Sequence, residues 1–215
     1  MKIKLLLLMV LILSITGCTT NKNTLENINV SEKPKVLKFI DYKIDNMSRT
    51  RSEYHFIEDG SLVVDTVIDN KTLKPGDIVY FQPPEFEGFP GNPDFKLADY
   101  NISRVIANPG DSIEIKKGKI LVNNKKLDYF FGEVSKYGFT KNVYIEKEKE
   151  DNPNFELSQE EMDFFNQSIP KMKIPKNHIF VIGDNWGRSV DSRHFGPVPY
   201  ENIQGKVLGV TKEAK

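Results

Sequence analysis

The chain has 215 residues, enough for one domain with a decoration or two small ones, and enough to bury a sizeable core. Its 30 Lys and Arg residues balance 30 Asp and Glu residues, so no overall field recruits nucleic acid or an acidic substrate. The single cysteine, Cys18, excludes an internal disulfide and a cysteine-built metal site, and the scattered His55, His178 and His194 lack ligand spacing, so neither metal nor cofactor is expected.

Lys2 and Lys4 precede an apolar run from Leu5 to Leu13, followed by Ile15-Thr16-Gly17-Cys18. The run is too short to span a bilayer comfortably, and its flanks are those of an export signal. Small residues before the one cysteine resemble the lipobox of bacterial lipoproteins, in which the cysteine is lipidated and becomes the mature N-terminus. That resemblance implies a signal peptide over residues 1–17, an acyl anchor on Cys18, and a place at the extracytoplasmic face of a bacterial cell membrane. Thr19 to about Lys38 is rich in Asn, Lys, Thr and Glu and reads as a flexible tether of about 20 residues, reaching about 25 Å root-mean-square. A folded domain is expected over residues 39–212.

Val36 to Ile44 is a short strand-like run leading into Asp45-Asn46-Met47-Ser48-Arg49-Thr50. Ser61 to Ile68 alternates around Leu62, Val64 and Val67 and predicts a strand. Lys74-Pro75-Gly76-Asp77 reads as a turn and Ile78-Val79-Tyr80-Phe81 as a buried strand, while Gln82 to Asp99, with four prolines and several aromatics, reads as an irregular loop.

Ile102-Ser103-Arg104-Val105-Ile106-Ala107 runs into the turn Asn108-Pro109-Gly110-Asp111. Ser112 to Leu127 predicts a hairpin, with turns at Lys117-Gly118 and Asn123-Asn124 and lysines facing solvent. Asp128 to Lys173 carries no evident chemistry. Ser158-Gln159-Glu160-Glu161 opens one short helix towards Phe165 with a capping box, and Pro170 is expected to end it.

The densest chemistry lies between Ile182 and Val198. Asp184, Asn185, Arg188, Ser189, Asp191, Ser192 and Arg193 share one loop between an apolar strand, Ile179 to Ile182, and Gly196-Pro197. So many hydrogen-bonding groups imply a buried polar network.

Gly183-Asp184-Asn185, then Ser189, Asp191-Ser192-Arg193 and Gly196 resemble the last box of the type I signal peptidases, every fixed position of which is filled. Three earlier boxes, in the right order, extend the resemblance over roughly Ile40 to Val210. It implies a mainly β, signal-peptidase-I-like (LexA-like) antiparallel domain of the serine-lysine peptidases, with a small variable insertion over about residues 128–173 containing one short helix. It also implies that this chain departs from its family at the chemistry. Met47 and Thr50 match the nucleophile box, but Asn46 stands at the serine position and Arg49 at the proline position. Ile44 stands where a serine often helps hold the oxyanion. Arg104, Val105, Pro109, Gly110 and Asp111 match the lysine box, but Ser103 stands at the lysine position.

An amide nitrogen is no nucleophile, because its lone pair is delocalised, and a serine hydroxyl is no base near neutral pH. By the same resemblance Ser189 matches the serine that orients the lysine, and Asp191, Arg193 and Arg104, with Asp184, match a buried charge cluster that stiffens the site. Asn46, Ser103 and Ser189 are expected to satisfy one another as a neutral hydrogen-bonded cluster. Family members usually leave the membrane just before the nucleophile; the tether here loosens that link. The leading expectation is a non-catalytic, lipid-anchored homologue that binds an extended peptide, the signal peptide of an exported protein, or a partner such as an active signal peptidase. The alternatives are an active signal-peptide endopeptidase using Ser48 or Ser103, and a structural lipoprotein whose groove binds nothing.

Overall fold

The computed structural model describes residues 36–49 and 61–211. The expected signal peptide, Cys18, the tether up to residue 35, Thr50 and His55 lie outside the described residues. The elements in chain order are β1 (Leu37–Ile40), β2 (Leu62–Asp65), β3 (Ile78–Phe81), β4 (Asn101–Ala107), β5 (Ser112–Lys116), β6 (Lys119–Val122), β7 (Lys125–Lys126), α1 (Lys141–Asp151), α2 (Gln159–Phe165), β8 (Ile169–Lys173), β9 (His178–Ile182), α3 (Ser192–Phe195), β10 (Val198–Pro199) and β11 (Ile203–Val210). The fold is mainly antiparallel β, as the sequence predicts.

A seven-stranded sheet runs β1-β2-β11-β3-β4-β9-β10, and a four-stranded sheet runs β7-β6-β5-β8. Alternation along β3 shows how the larger sheet is covered on both faces. Ile78 and Tyr80 join a core with Tyr42, Met47, Leu62, Val64, Ile102 and Val207. Val79 and Phe81 join another with Leu73, Val105, Ile179, Val181 and Val198. Strand side chains alternate between faces, so a strand with no polar position must be buried on both. A third core fills the space under the smaller sheet, with Ile113, Ile115, Ile120, Phe165 and Trp186 among its members.

The hairpin turns lie where the sequence puts them. Lys117 and Gly118 have φ of 49° and 74°, and Asn123 and Asn124 have 51° and 64°, the paired positive φ of tight two-residue turns. The irregular loop from Gln82 to Asp99 contains no strand, and its Phe86, Phe89 and Phe95 rings pack on one another.

Two expectations for the insertion are corrected. It contains two helices, not one. α1 was hidden because Lys-Asn-Val-Tyr-Ile-Glu-Lys-Glu-Lys-Glu-Asp has no apolar period and buries only Tyr144; its Lys and Glu residues favour a helix by propensity, and Tyr144 anchors it on Phe155 and Phe165. Pro170 does not end α2. That helix opens with the expected Ser158–Glu161 capping box and closes at Phe165 with Asn166 as C-cap, while Pro170 lies in β8. β8 pairs with β5 alone, so the missing proline N–H interrupts no second ladder.

Candidate functional site

Three segments meet at the predicted site: the loop after β1, the strand β4, and the loop between β9 and β10. β4 is buried along its whole length, with Ser103 opposite Val79 on β3 and Arg104 opposite Ile182 on β9. Asn46 is 1% exposed and Ser189 5%, so both are interior groups that need partners.

Those partners are not the ones expected. Asn46 Nδ2 donates to Asn101 Oδ1 at 2.9 Å and to the Ile102 carbonyl at 2.6 Å. The Tyr42 hydroxyl lies 2.9 Å from Asn46 Oδ1 and 2.6 Å from Asn101 Oδ1, its single proton serving one acceptor at a time. Burial pushes the Tyr42 phenol above its ordinary range, so it stays a neutral donor and acceptor. Ser189 Oγ donates to the backbone carbonyl of Asn46 at 2.8 Å, and the same carbonyl accepts from Asn185 N–H at 2.9 Å. Ser103 Oγ and Ser48 Oγ are buried without a hydrogen-bond partner.

The expected mutual cluster of Asn46, Ser103 and Ser189 is therefore corrected to a cluster of Asn46, Asn101 and Tyr42, tied to Ser189 through the backbone. The reason is reach. A carboxamide is long enough to find a neighbouring amide and a main-chain carbonyl, whereas a serine hydroxyl sits one carbon from its own strand. Sequence reasoning missed Tyr42 and Asn101. The signal was spacing: Asn101 stands two residues before Ser103, hence on the same face of the strand, and Tyr42 four before Asn46.

Among the described residues the site's charges form three ion pairs: Arg188 with Asp45, beside Asn46, is partly exposed, and the other two are buried. Arg104 Nε and Nη2 meet Asp184 Oδ1 and Oδ2 at 2.8 and 2.6 Å, and Arg104 Nη1 donates to the Gly76 carbonyl at 2.7 Å. Arg193 Nε and Nη2 meet Asp191 Oδ1 and Oδ2 at 2.8 and 2.9 Å, while the guanidinium lies over the Trp186 ring at 4.5 Å. Arg193 Nη2 also donates to the Trp186 and Ser189 carbonyls, which closes the loop on itself. Asp191 Oδ2 accepts from Gly183 N–H at 2.9 Å, and Ser192 Oγ accepts from Val181 N–H at 3.0 Å. Each buried carboxylate thus has a planar two-bond partner, the arrangement in which a buried pair is tolerated. Arg49, at the family's proline position, lies over the Phe130 ring at 4.2 Å, and Arg104 over the same ring at 5.0 Å.

Gly183 explains why this loop opens on glycine. A Cβ there would fall 1.7 Å from Ser189 Oγ and 2.7 Å from the Asn46 carbonyl. Close approach of this loop to the loop after β1, not an unusual φ, is what requires it.

His194 Nδ1 accepts from Asp191 N–H at 3.3 Å, and its ring meets Phe86 and Phe89 edge-on. Partial burial, and then the Arg193 charge, hold its pKa below the ordinary histidine value. Among the described residues no group of His, Cys, Asp and Glu is gathered that could hold a metal ion.

The fold and this loop define a signal-peptidase-type β domain, and comparison with known proteins agrees. The family description "Signal peptidase, peptidase S26" matches residues 6–211, beginning within the N-terminal apolar run and so well before the boxes. The chain belongs to the peptidase S26 family of signal peptidases. Signal peptidase I V of Bacillus subtilis (strain 168) is 32% identical over 171 residues, 79% of this chain and 83% of that one. Thylakoidal processing peptidase 1 of Arabidopsis thaliana is 28% identical over 161 residues, 72% of this chain but 38% of that longer protein. A solved structure, signal peptidase I from Enterococcus faecalis V583, aligns at 22% identity with a TM-score of 0.41, covering 65% of this chain and 99% of that chain. Among the described residues no helix is long and apolar enough to cross a membrane.

Proposed function

We propose that this chain is a non-catalytic, membrane-anchored signal peptidase homologue that binds an extended peptide or a partner protein at the outer face of a bacterial membrane. The observation that carries the reading is the isolation of the candidate nucleophiles. General-base catalysis needs an acceptor of suitable pKa within hydrogen-bond reach of a nucleophile. Ser48 Oγ and Ser103 Oγ are buried with no partner, and the group at the nucleophile position, Asn46, spends its amide on Asn101 and Ile102. Ile44, half-buried beside the same core, adds no donor for an oxyanion.

The peptide class follows from the family, whose named relatives are signal peptidases, so the signal peptide of an exported protein is the first ligand to consider. The anchor is acylated Cys18, set by the lipobox-like Ile15-Thr16-Gly17-Cys18. Incubation of the full chain with a preprotein carrying an Ala-x-Ala site tests the reading. No cleavage is expected. Turnover by wild type that Ser48→Ala or Ser103→Ala abolishes would replace this reading with an active endopeptidase. Crosslinking in membranes then separates a binding protein, which captures a preprotein or an active signal peptidase, from a structural lipoprotein, which captures neither.

A further inference from the structure

Among the described residues, the two strands beside β4 overlap only at Arg104, so its first half has a paired strand on one side alone. β3 pairs along Asn101 to Arg104, whereas β9 joins on the other side from Arg104 onward. Ile102 therefore directs one N–H and one C=O to a side on which β9 does not lie, a place where an extended peptide can add as a further strand. Both groups are already taken. Ile102 N–H faces Tyr42 Oη at 3.2 Å and Asn101 Oδ1 at 2.9 Å, and the Ile102 carbonyl accepts from Asn46 Nδ2 at 2.6 Å.

A carboxamide is the side-chain counterpart of a peptide group. Asn46 Nδ2–H stands where a peptide N–H would donate, and Tyr42 Oη stands where a peptide carbonyl would accept. We infer that Tyr42 and Asn46 form a built-in plug that imitates a bound peptide at the free edge of β4, so that an extended peptide adds there only after residues 42–46 are displaced. This rests on the reading that the site takes an extended peptide.

The plug is braced from behind. Asn101 Oδ1 accepts from Asn46 Nδ2 and lies in reach of the Tyr42 hydroxyl, while Ser189 Oγ and Asn185 N–H hold the Asn46 carbonyl. Tyr42 is 4% exposed and Asn46 1%, so neither is a loose surface side chain that a ligand brushes aside. In this closed arrangement Ser103 Oγ, next along the strand, stays without a partner. The residue at the family's nucleophile position has thus acquired a second role: besides lacking the chemistry, it occupies the seat.

The test compares the full chain with Tyr42→Phe/Asn46→Ala and with the milder Tyr42→Phe, which keeps the ring in the core. Fluorescence anisotropy reads binding of a labelled peptide containing Ala-x-Ala, and amide hydrogen exchange followed by NMR reads Ile102. The double variant should bind on the order of tenfold tighter than wild type, the scale of one or two net hydrogen bonds, and Tyr42→Phe alone by less. Methylating the peptide's backbone nitrogens should abolish the gain, and Ile102 exchange should accelerate in the double variant, where Asn101 Oδ1 is released from Asn46 and is the one acceptor left to the Ile102 N–H. No gain while Ile102 stays protected would show that Tyr42 and Asn46 are not what closes the edge, which overturns the plug. No gain while Ile102 exchanges freely would show an opened edge that takes no peptide, which overturns the plug as a gate together with the peptide reading of the site.

Discussion

Ser189 Oγ donates its proton to the main-chain carbonyl of Asn46 at 2.8 Å. That bond makes Ser189 a clamp between the loop after β9 and the backbone of the segment after β1. That clamp depends on Gly183, which lets the two segments close. Gly183→Ala should destabilise the domain by about 1–3 kcal/mol, the usual scale of overpacking in a filled core. Urea denaturation of both proteins measures it. A double-mutant cycle with Ser189→Gly should show favourable coupling, since the clash with Ser189 Oγ at 1.7 Å disappears while that with the Asn46 carbonyl at 2.7 Å remains.

The Arg104–Asp184 pair is buried, with side chains 7% and 1% exposed. Breaking it from one side leaves an uncompensated charge. Asp184→Leu or Arg104→Met alone should each cost about 3–5 kcal/mol, while Arg104→Met/Asp184→Leu should cost clearly less than the sum. Thermal unfolding of the three variants decides it. Equal and additive losses would mean that the pair is no coupled unit.

Acid sensitivity should be traceable to the insertion. The Lys136 ammonium, 2.5 Å from Glu161 Oε1, is the main reason that the Glu161 carboxyl is held down from 4.5 to about 2, with the Ser158 N–H and the Tyr144 hydroxyl helping. A carboxyl depressed in the folded state stabilises it above the unfolded value of 4.5, and that contribution is lost as pH falls from there towards about 2. Stability measured from pH 6 down should fall less steeply in Glu161→Gln than in wild type across that window.

Restoring one catalytic group should restore nothing. Asn46→Ser gives an alcohol with no base, and Ser103→Lys a base with no nucleophile. Asn46→Ser with Ser103→Lys and Ile44→Ser should give detectable preprotein cleavage. Position 46 would remain held by Ser189 Oγ and Asn185 N–H, which bind its backbone and not its side chain. A folded triple variant without turnover would mean that the site's geometry has drifted from the active family.

Mass spectrometry of the mature protein should find an acylated N-terminal Cys18, and Cys18→Ala should release the chain from membranes. An unmodified N-terminus at another residue would remove the lipid anchor.

The strands around the site were legible because they are short, apolar and bounded by turn residues. The four boxes were legible because their residues have fixed spacing. What the sequence hid was direction. Nothing in the order of residues says that Asn46 turns its amide to Asn101 and Ile102, or that Arg104 takes Asp184, because these choices are made between segments 55 to 80 residues apart. α1 was hidden for a different reason: it is held by one buried tyrosine, and a single anchor leaves no period to find.

The smaller sheet ends in Lys125-Lys126 on β7 at one border and in Ile169-Pro170-Lys171-Met172-Lys173 on β8 at the other. A border strand with free main-chain groups invites a strand from another molecule, and lysines and a proline are what discourage it. A second strand approaching that sheet therefore meets lysines at either border, and at β8 also a proline that interrupts the ladder, so both borders disfavour pairing.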